Sequence, residues 1–260
     1  MMPIIQNYQD YLTEIKTLFS EYRERYCNCC NLFSEIIARG YAVPVNVDLN
    51  GIEVLICGIN PSYLVKKEVY EEIEYPDFKQ SITDKHSYWS NIRNNIINSI
   101  PINKVEAIDL FALRESNQSF LKNKCFKDPD LIKFLITNLW LTQQLIELMA
   151  PKLIIVANKA QWGYWGVLDN LYWMGYKFKN EPVKVYSDKM RLLEIEGLKD
   201  AIYENSMFKD GPIGRIESDF ETRLSGTKVL FTLFQTGRHR CGDSERIKPG
   251  MVSEILSKYC

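Results

Sequence analysis

Two short runs of unbroken apolar residues, Val54-Leu-Ile-Cys57 and Leu153-Ile-Ile-Val-Ala157, restrict what this chain can become. A strand with one wet face alternates, whereas a run apolar at every position must be covered on both faces, as in a parallel sheet. Lys228-Val-Leu-Phe-Thr-Leu-Phe234 and Val105-Glu-Ala-Ile-Asp109-Leu read as two further strands. Between them lie segments of helical spacing: Tyr63 to Glu74 with Ser62 as cap, His86 to Ile97, Leu131 to Met149 stopped by Pro151, and Met251 to Tyr259. The head of another helix is expected at Asn158-Lys-Ala-Gln-Trp-Gly. Strands separated by helices imply a mainly parallel central sheet of about four strands with right-handed crossovers, an α/β fold.

Residues 1–50 read as a helical extension packed on the core. Ile5 to Arg39 forms one long or two short helices, with apolar Tyr8, Leu12, Ile15, Leu18, Phe19 and Tyr22 on one face. Tyr41 to Leu49 is then joined through Asn50-Gly51 to the strand at Ile52 as a hairpin. The α/β domain occupies 51–260. Residues 165–225, which mix aromatics, charges and turn residues, read as an insertion of strands and loops.

Charge excludes one class of partner surface. Thirty-two Lys and Arg face 33 Asp and Glu, so the net charge of −1 rules out a uniformly basic nucleic-acid coat and leaves room for a local patch. Apolar runs are too short for a membrane span, and the start lacks a secretory pattern. Seven scattered cysteines, an odd number, suit a reducing compartment, and a cytoplasmic monomer is expected. Cys27, Cys29 and Cys30 lie close together but have no second cluster to complete a metal site. Neither metal nor cofactor is expected.

In open parallel sheets, ligands bind beyond the carboxyl ends of the strands. Three polar turns fall there: Asn60-Pro-Ser62, Asp109 to Arg114, and Thr236 to Arg240. Leu55-Ile-Cys-Gly58-Ile59-Asn60-Pro61-Ser62 resembles the first motif of the uracil-DNA glycosylase superfamily, nearest the Gly-Ile-Asn-Pro-Gly form of the mismatch-specific uracil/thymine branch. Tyr88-Trp89-Ser-Asn-Ile resembles the family's aromatic helix start, and Ala107-Ile-Asp109-Leu its second strand. Ala150 to Ala160 resembles the Pro-led third strand, and Phe231 to His239 lies where the second catalytic motif belongs. Two departures stand out. Ser62 replaces the motif's final glycine, and Thr236-Gly-Arg-His239-Arg replaces the usual His-Pro-Ser or Asn-Pro-Ser.

The resemblance implies a three-layer α/β/α fold and a DNA glycosylase acting on uracil or another deaminated or mismatched base flipped out of the helix. Asn60 and His239 would be catalytic. Asn60 would hold the attacking water, and His239 would donate to the anionic leaving base. Gly58, Ile59, Pro61, Ser62, Tyr63, Trp89, Asp109 and Phe111 would bind the base, with Asp109 reading an N–H edge and the aromatics stacking. Arg238, Arg240, Arg246 and Lys248 would hold DNA phosphates. Plainer readings stand beside these: Asn60 as an Asx turn, His239 in a solvated basic loop, and Asp109 as a cap. A catalytically inactive nucleic-acid- or nucleotide-binding protein of the same fold is the alternative. A metabolite hydrolase would require a Gly-x-Ser-x-Gly elbow, which the sequence lacks.

Overall fold

The computed structural model describes residues 3–26, 32–61, 71–83, 90–116, 129–168, 171–172, 174–199, 221–233 and 245–260. The chain opens with α1 (Tyr8–Tyr26), whose buried Tyr8, Tyr11, Leu12, Ile15, Leu18, Phe19 and Tyr22 form one stripe. Its first turn is closed reciprocally: the Asp10 amide donates to the Asn7 side chain (2.9 Å) and the Gln6 amide to the Asp10 carboxylate (2.9 Å). Then follow α2 (Leu32–Ala38), β1 (Gly40–Pro44), β2 (Val54–Gly58), β3 (Glu71–Tyr75), α3 (Phe78–Thr83), α4 (Ser90–Asn95), β4 (Val105–Asp109), α5 (Pro129–Met149) and β5 (Leu153–Val156). Strands β6 (Trp165–Leu168), β7 (Leu171–Tyr172), β8 (Tyr176–Phe178), β9 (Lys184–Ser187), β10 (Met190–Leu198) and β11 (Lys228–Phe231) precede the closing helix α6 (Met251–Tyr259).

The four strands expected from sequence lie side by side and parallel, in the order β4-β2-β5-β11. Alternation along them divides the core in two. Leu55, Cys57, Ile154, Val156, Val229 and Phe231 join the stripe of α1 and the apolar residues of α5. Val54, Ile56, Leu153, Ile155 and Leu230 join Ile92 and Ile96, at and just beyond α4, and Val252 and Ile255 of α6. β2 and β5 are buried on both sides, which is why Val54 to Cys57 and Leu153 to Val156 are apolar at every position. No helix among the described residues is long and apolar enough to cross a membrane.

Three expectations are corrected. The Asn50-Gly51 hairpin does not form: β1 pairs in parallel with β3, Gly40 opposite Glu71 through Pro44 opposite Tyr75. Gly51 does take the left-handed turn conformation (φ 71°), but both edges of β2 are occupied by β4 and β5. A turn dipeptide sets where the chain bends, not which edge is open to it. The helix expected from Tyr63 does not extend to Glu74, because Glu71–Tyr75 is strand; Glu72 and Glu74 are exposed while Ile73 and Tyr75 are half-buried, and residues 63–70 lie outside the described residues. The helix expected at Asn158 is a single 3-10 turn, Lys159–Gln161, with the Asn158 side chain accepting from the Ala160 amide.

The segment 165–225 contributes strands, and most of them extend the main sheet. β10 runs antiparallel to β11, and β8 and β9 pair with β10. Glu147 on α5 anchors the region from below. Its buried carboxylate accepts from Tyr176 Oη (2.9 Å), Thr222 Oγ1 (2.6 Å) and the Arg223 amide (2.7 Å). Three donors offset much of the cost of burying that charge.

Candidate functional site

The strand order places a switch point beside β2. The chain leaves β2 for β4 on one side, and leaves β5 for β11 on the other, the arrangement at which open α/β sheets hold ligands beyond the carboxyl ends of their strands. The Ala157 amide (3.3 Å) and Gln161 Nε2 (2.9 Å) both donate to the Cys57 carbonyl and hold the two strand ends together.

On the β4 side, the Gly58-Ile-Asn-Pro61 turn is laced to the segment after Asp109. Leu110, Phe111 and Glu115 amides donate to the carbonyls of Gly58 (3.0 Å), Ile59 (2.9 Å) and Pro61 (3.0 Å). Asn60 is buried, and its Nδ2 donates to the carbonyls of Pro61 (2.9 Å) and Glu115 (2.6 Å). The Glu115 carboxylate in turn meets Arg39 Nη1 at 2.5 Å, and Arg114 Nη1 donates to the Arg39 carbonyl (3.2 Å). Asn60 is therefore a brace between two loops. A water held by this amide would donate to Oδ1.

Asp109 sits directly opposite Gly58 in the β2–β4 register. A Cβ built on Gly58 would fall 1.9 Å from Asp109 Oδ1, so the absence of a side chain is what lets the carboxyl lie there. Among the described residues, no donor or cation reaches that carboxyl. Desolvation alone pushes its pKa up to about 7. An unpartnered carboxyl, partly exposed and titrating near neutrality, is what an acid–base or hydrogen-bonding role requires. Asp109 also lines a small cavity with Tyr8, Tyr11, Pro44 and Tyr75, which has room for about one water and none for a nucleobase. The same burial raises the Tyr11 hydroxyl to about 12 and keeps the Cys57 thiol protonated.

Phe111 differs from its expected place on a base-stacking wall. It is fully buried, edge-on to Tyr164 with ring centres 5.0 Å apart, and belongs to the core. Ile59 is likewise a core residue. Arg246 is half-buried and Lys248 exposed, on either side of buried Ile247. Cys260, at the far end of α6, donates to the Lys152 carbonyl at the foot of β5 (3.5 Å), so α6 runs antiparallel to β5. That orientation puts Arg246 and Lys248 at the carboxyl end of the sheet. Ser62, Tyr63, Trp89, Arg238, His239 and Arg240 lie outside the described residues, as do Cys27, Cys29 and Cys30.

No family model, curated protein or solved structure matches this chain. Its chemistry is therefore read from its own residues.

Sequence reasoning missed Gln161 and Glu115. Gln161 is fully buried with Oε1 unpartnered, and Glu115 supplies the carbonyl that holds Asn60. The available signal was position, since both follow a strand's carboxyl end.

Two desolvated carboxyls set a pH dependence. Asp109 and Glu106 each titrate near 7 in the fold, pushed up first by desolvation, against about 4 in an unfolded chain. The fold prefers them neutral. Their effect is therefore least unfavourable below about pH 4, and stability falls as pH rises from there to 7, then levels off. Asp109→Asn is expected to stabilise the protein at pH 8 by about 1–3 kcal/mol and to leave stability at pH 4 nearly unchanged. Urea unfolding midpoints at the two pH values measure this; equal shifts at both would mean that Asp109 is not desolvated.

Proposed function

We propose that this protein is a DNA base-excision glycosylase that hydrolyses the N-glycosidic bond of uracil or another deaminated or mismatched base. The architecture is then a three-layer, uracil-DNA glycosylase-like α/β/α sandwich. The observation that carries the reading is the pairing at the ends of β2 and β4: a Gly-Ile-Asn-Pro turn with Asn60 buried in it, and an unpartnered Asp109 carboxyl laid over Gly58. Bond breaking leaves a sugar with oxocarbenium character and an anionic base. Asn60 would orient water toward the sugar through Oδ1, and His239 would donate to the departing base. Asp109, neutral below about pH 7, can both donate to and accept from a base edge; ionised, it only accepts.

The direct test uses single- and double-stranded oligonucleotides carrying uracil, hypoxanthine or xanthine, followed by alkali to cut abasic sites. Release of at least one base is expected. Failure with all of them, in both strand contexts, would refute the assignment.

A second reading, a catalytically inactive nucleic-acid or nucleotide binder, is favoured by two details. Asn60 Nδ2 is committed to two backbone carbonyls, and the cavity beside Asp109 admits no base. Binding of the same oligonucleotides without base release would identify it.

A further inference from the structure

Beyond the Gly58–Asp109 pairing and the turn that carries Asn60, the same end of the sheet carries a second group of side chains that the glycosylase reading does not use. Trp162 follows the turn after β5. It is buried against Phe231 (ring centres 5.7 Å apart, 72°), and its Nε1 donates to the Thr232 carbonyl (3.2 Å), where β11 runs out. Arg191 on β10 pairs with Phe231 in the antiparallel register, which brings it to that end too. Its guanidinium lies 5.2 Å from the centre of the Trp162 ring, and Lys159 Nζ approaches the same ring at 6.0 Å.

Two cations thus share one indole. Among the described residues neither meets a carboxylate, and Arg191 Nε is buried without a partner. Glu245, in the segment after β11, is already paired with Lys189 (2.9 Å). Stacking on the indole fixes the guanidinium plane and offsets part of its desolvation, but it does not neutralise either charge. Two like charges held around one ring are favourable chiefly when an anion answers both. A planar fork beside a mobile ammonium suits a tetrahedral oxyanion, with paired donors from Arg191 and a point charge from Lys159.

We infer that Arg191 and Lys159, mounted on Trp162, form a phosphate clamp for a backbone phosphodiester of the bound nucleic-acid strand. The inference rests on the nucleic-acid reading above and names a contact that reading lacks. β2 and β10 are three strand spacings apart, about 14 Å, so the clamp would hold the strand a few nucleotides from the one that meets Asn60. It carries position and affinity but no base identity.

The test measures binding without chemistry. A fluorescent lesion-free 15-mer is titrated with the full-length protein and with Lys159→Gln, Arg191→Leu and Arg191→Lys across a salt series. Lys159 is exposed, so Lys159→Gln tests the clamp without risk to folding. Each charge-removing variant is expected to weaken binding about tenfold and to lower the slope of log K against log salt by about one. Arg191→Lys keeps the charge and should recover part of the affinity but not all. Unchanged affinity and slope in Lys159→Gln, or a wild-type protein that does not bind the oligonucleotide, would overturn the clamp. Binding that behaves as expected while no lesion base is ever released leaves the clamp standing and removes only the glycosylase assignment. Adding inorganic phosphate or a mononucleotide separates the two sources of phosphate: a clamp for a strand is displaced by either only at far higher concentration than by unlabelled oligonucleotide, and the opposite order would overturn it.

Discussion

Asn60→Ala is expected to lower the single-turnover rate of base release by about a hundredfold or more, the usual loss when a positioned dipole is removed from a hydrolytic site. Its effect on folding should be smaller but real. Nδ2 donates to the Pro61 and Glu115 carbonyls, and deleting it leaves two acceptors at a buried junction without their donor, at a cost of about 1–3 kcal/mol. Asn60→Asp keeps the shape and reverses the sense. An ionised carboxylate would face those same two carbonyl oxygens, so it should be less stable than Asn60→Ala at pH 8 and should recover as the pH is lowered toward 5. Base release measured with enzyme in excess, together with urea unfolding of each variant, separates the two roles. A variant that keeps full activity while losing stability would leave Asn60 as a brace only, and the plainer reading of that residue would stand.

The second large effect is expected at Gly58. Alanine there would place its Cβ 1.9 Å from Asp109 Oδ1, closer than side-chain packing allows, and 3.0 Å from Asp109 Cγ, a tight contact. Either the Asp109 side chain swings away or β2 separates from β4. Crowding of this kind costs about 1–3 kcal/mol, and it displaces the carboxyl from the site in both cases. The decisive comparison is a double-mutant cycle. Asp109→Gly removes the obstruction, so Gly58→Ala should cost little in that background, with a coupling of about 1–2 kcal/mol. Additive effects would mean that Gly58 and Asp109 do not share the space the structure gives them. Loss of activity in Gly58→Ala without loss of stability would point to a swung carboxyl rather than a loosened sheet.

The local chemistry of the chain was enough to specify its framework. Unbroken apolar runs at Val54 and Leu153 required strands covered on both faces, and the apolar pattern from Leu131 to Met149, stopped by Pro151, required a helix, which the structure forms over Pro129–Met149. Periodicity is a property of neighbours along the chain, so it survives without knowledge of the fold. The polar turns after Gly58 and Asp109 were legible for the same reason; the third, Thr236 to Arg240, lies outside the described residues.

Pairing was decided elsewhere. Asn50-Gly51 bends the chain as its composition demands, yet β1 found its partner in β3, because both edges of β2 were already taken by strands distant in sequence. Phe111 is equally suited to a stacking wall or a core, and the fold buried it against Tyr164. The two most informative arrangements, Asp109 over Gly58 and Arg191 on Trp162, each join residues from different strands or turns. Which side chains share a desolvated space depends on the order in which strands lie side by side. Burial and long-range register therefore determined the charge states and contacts that one-dimensional patterning leaves open.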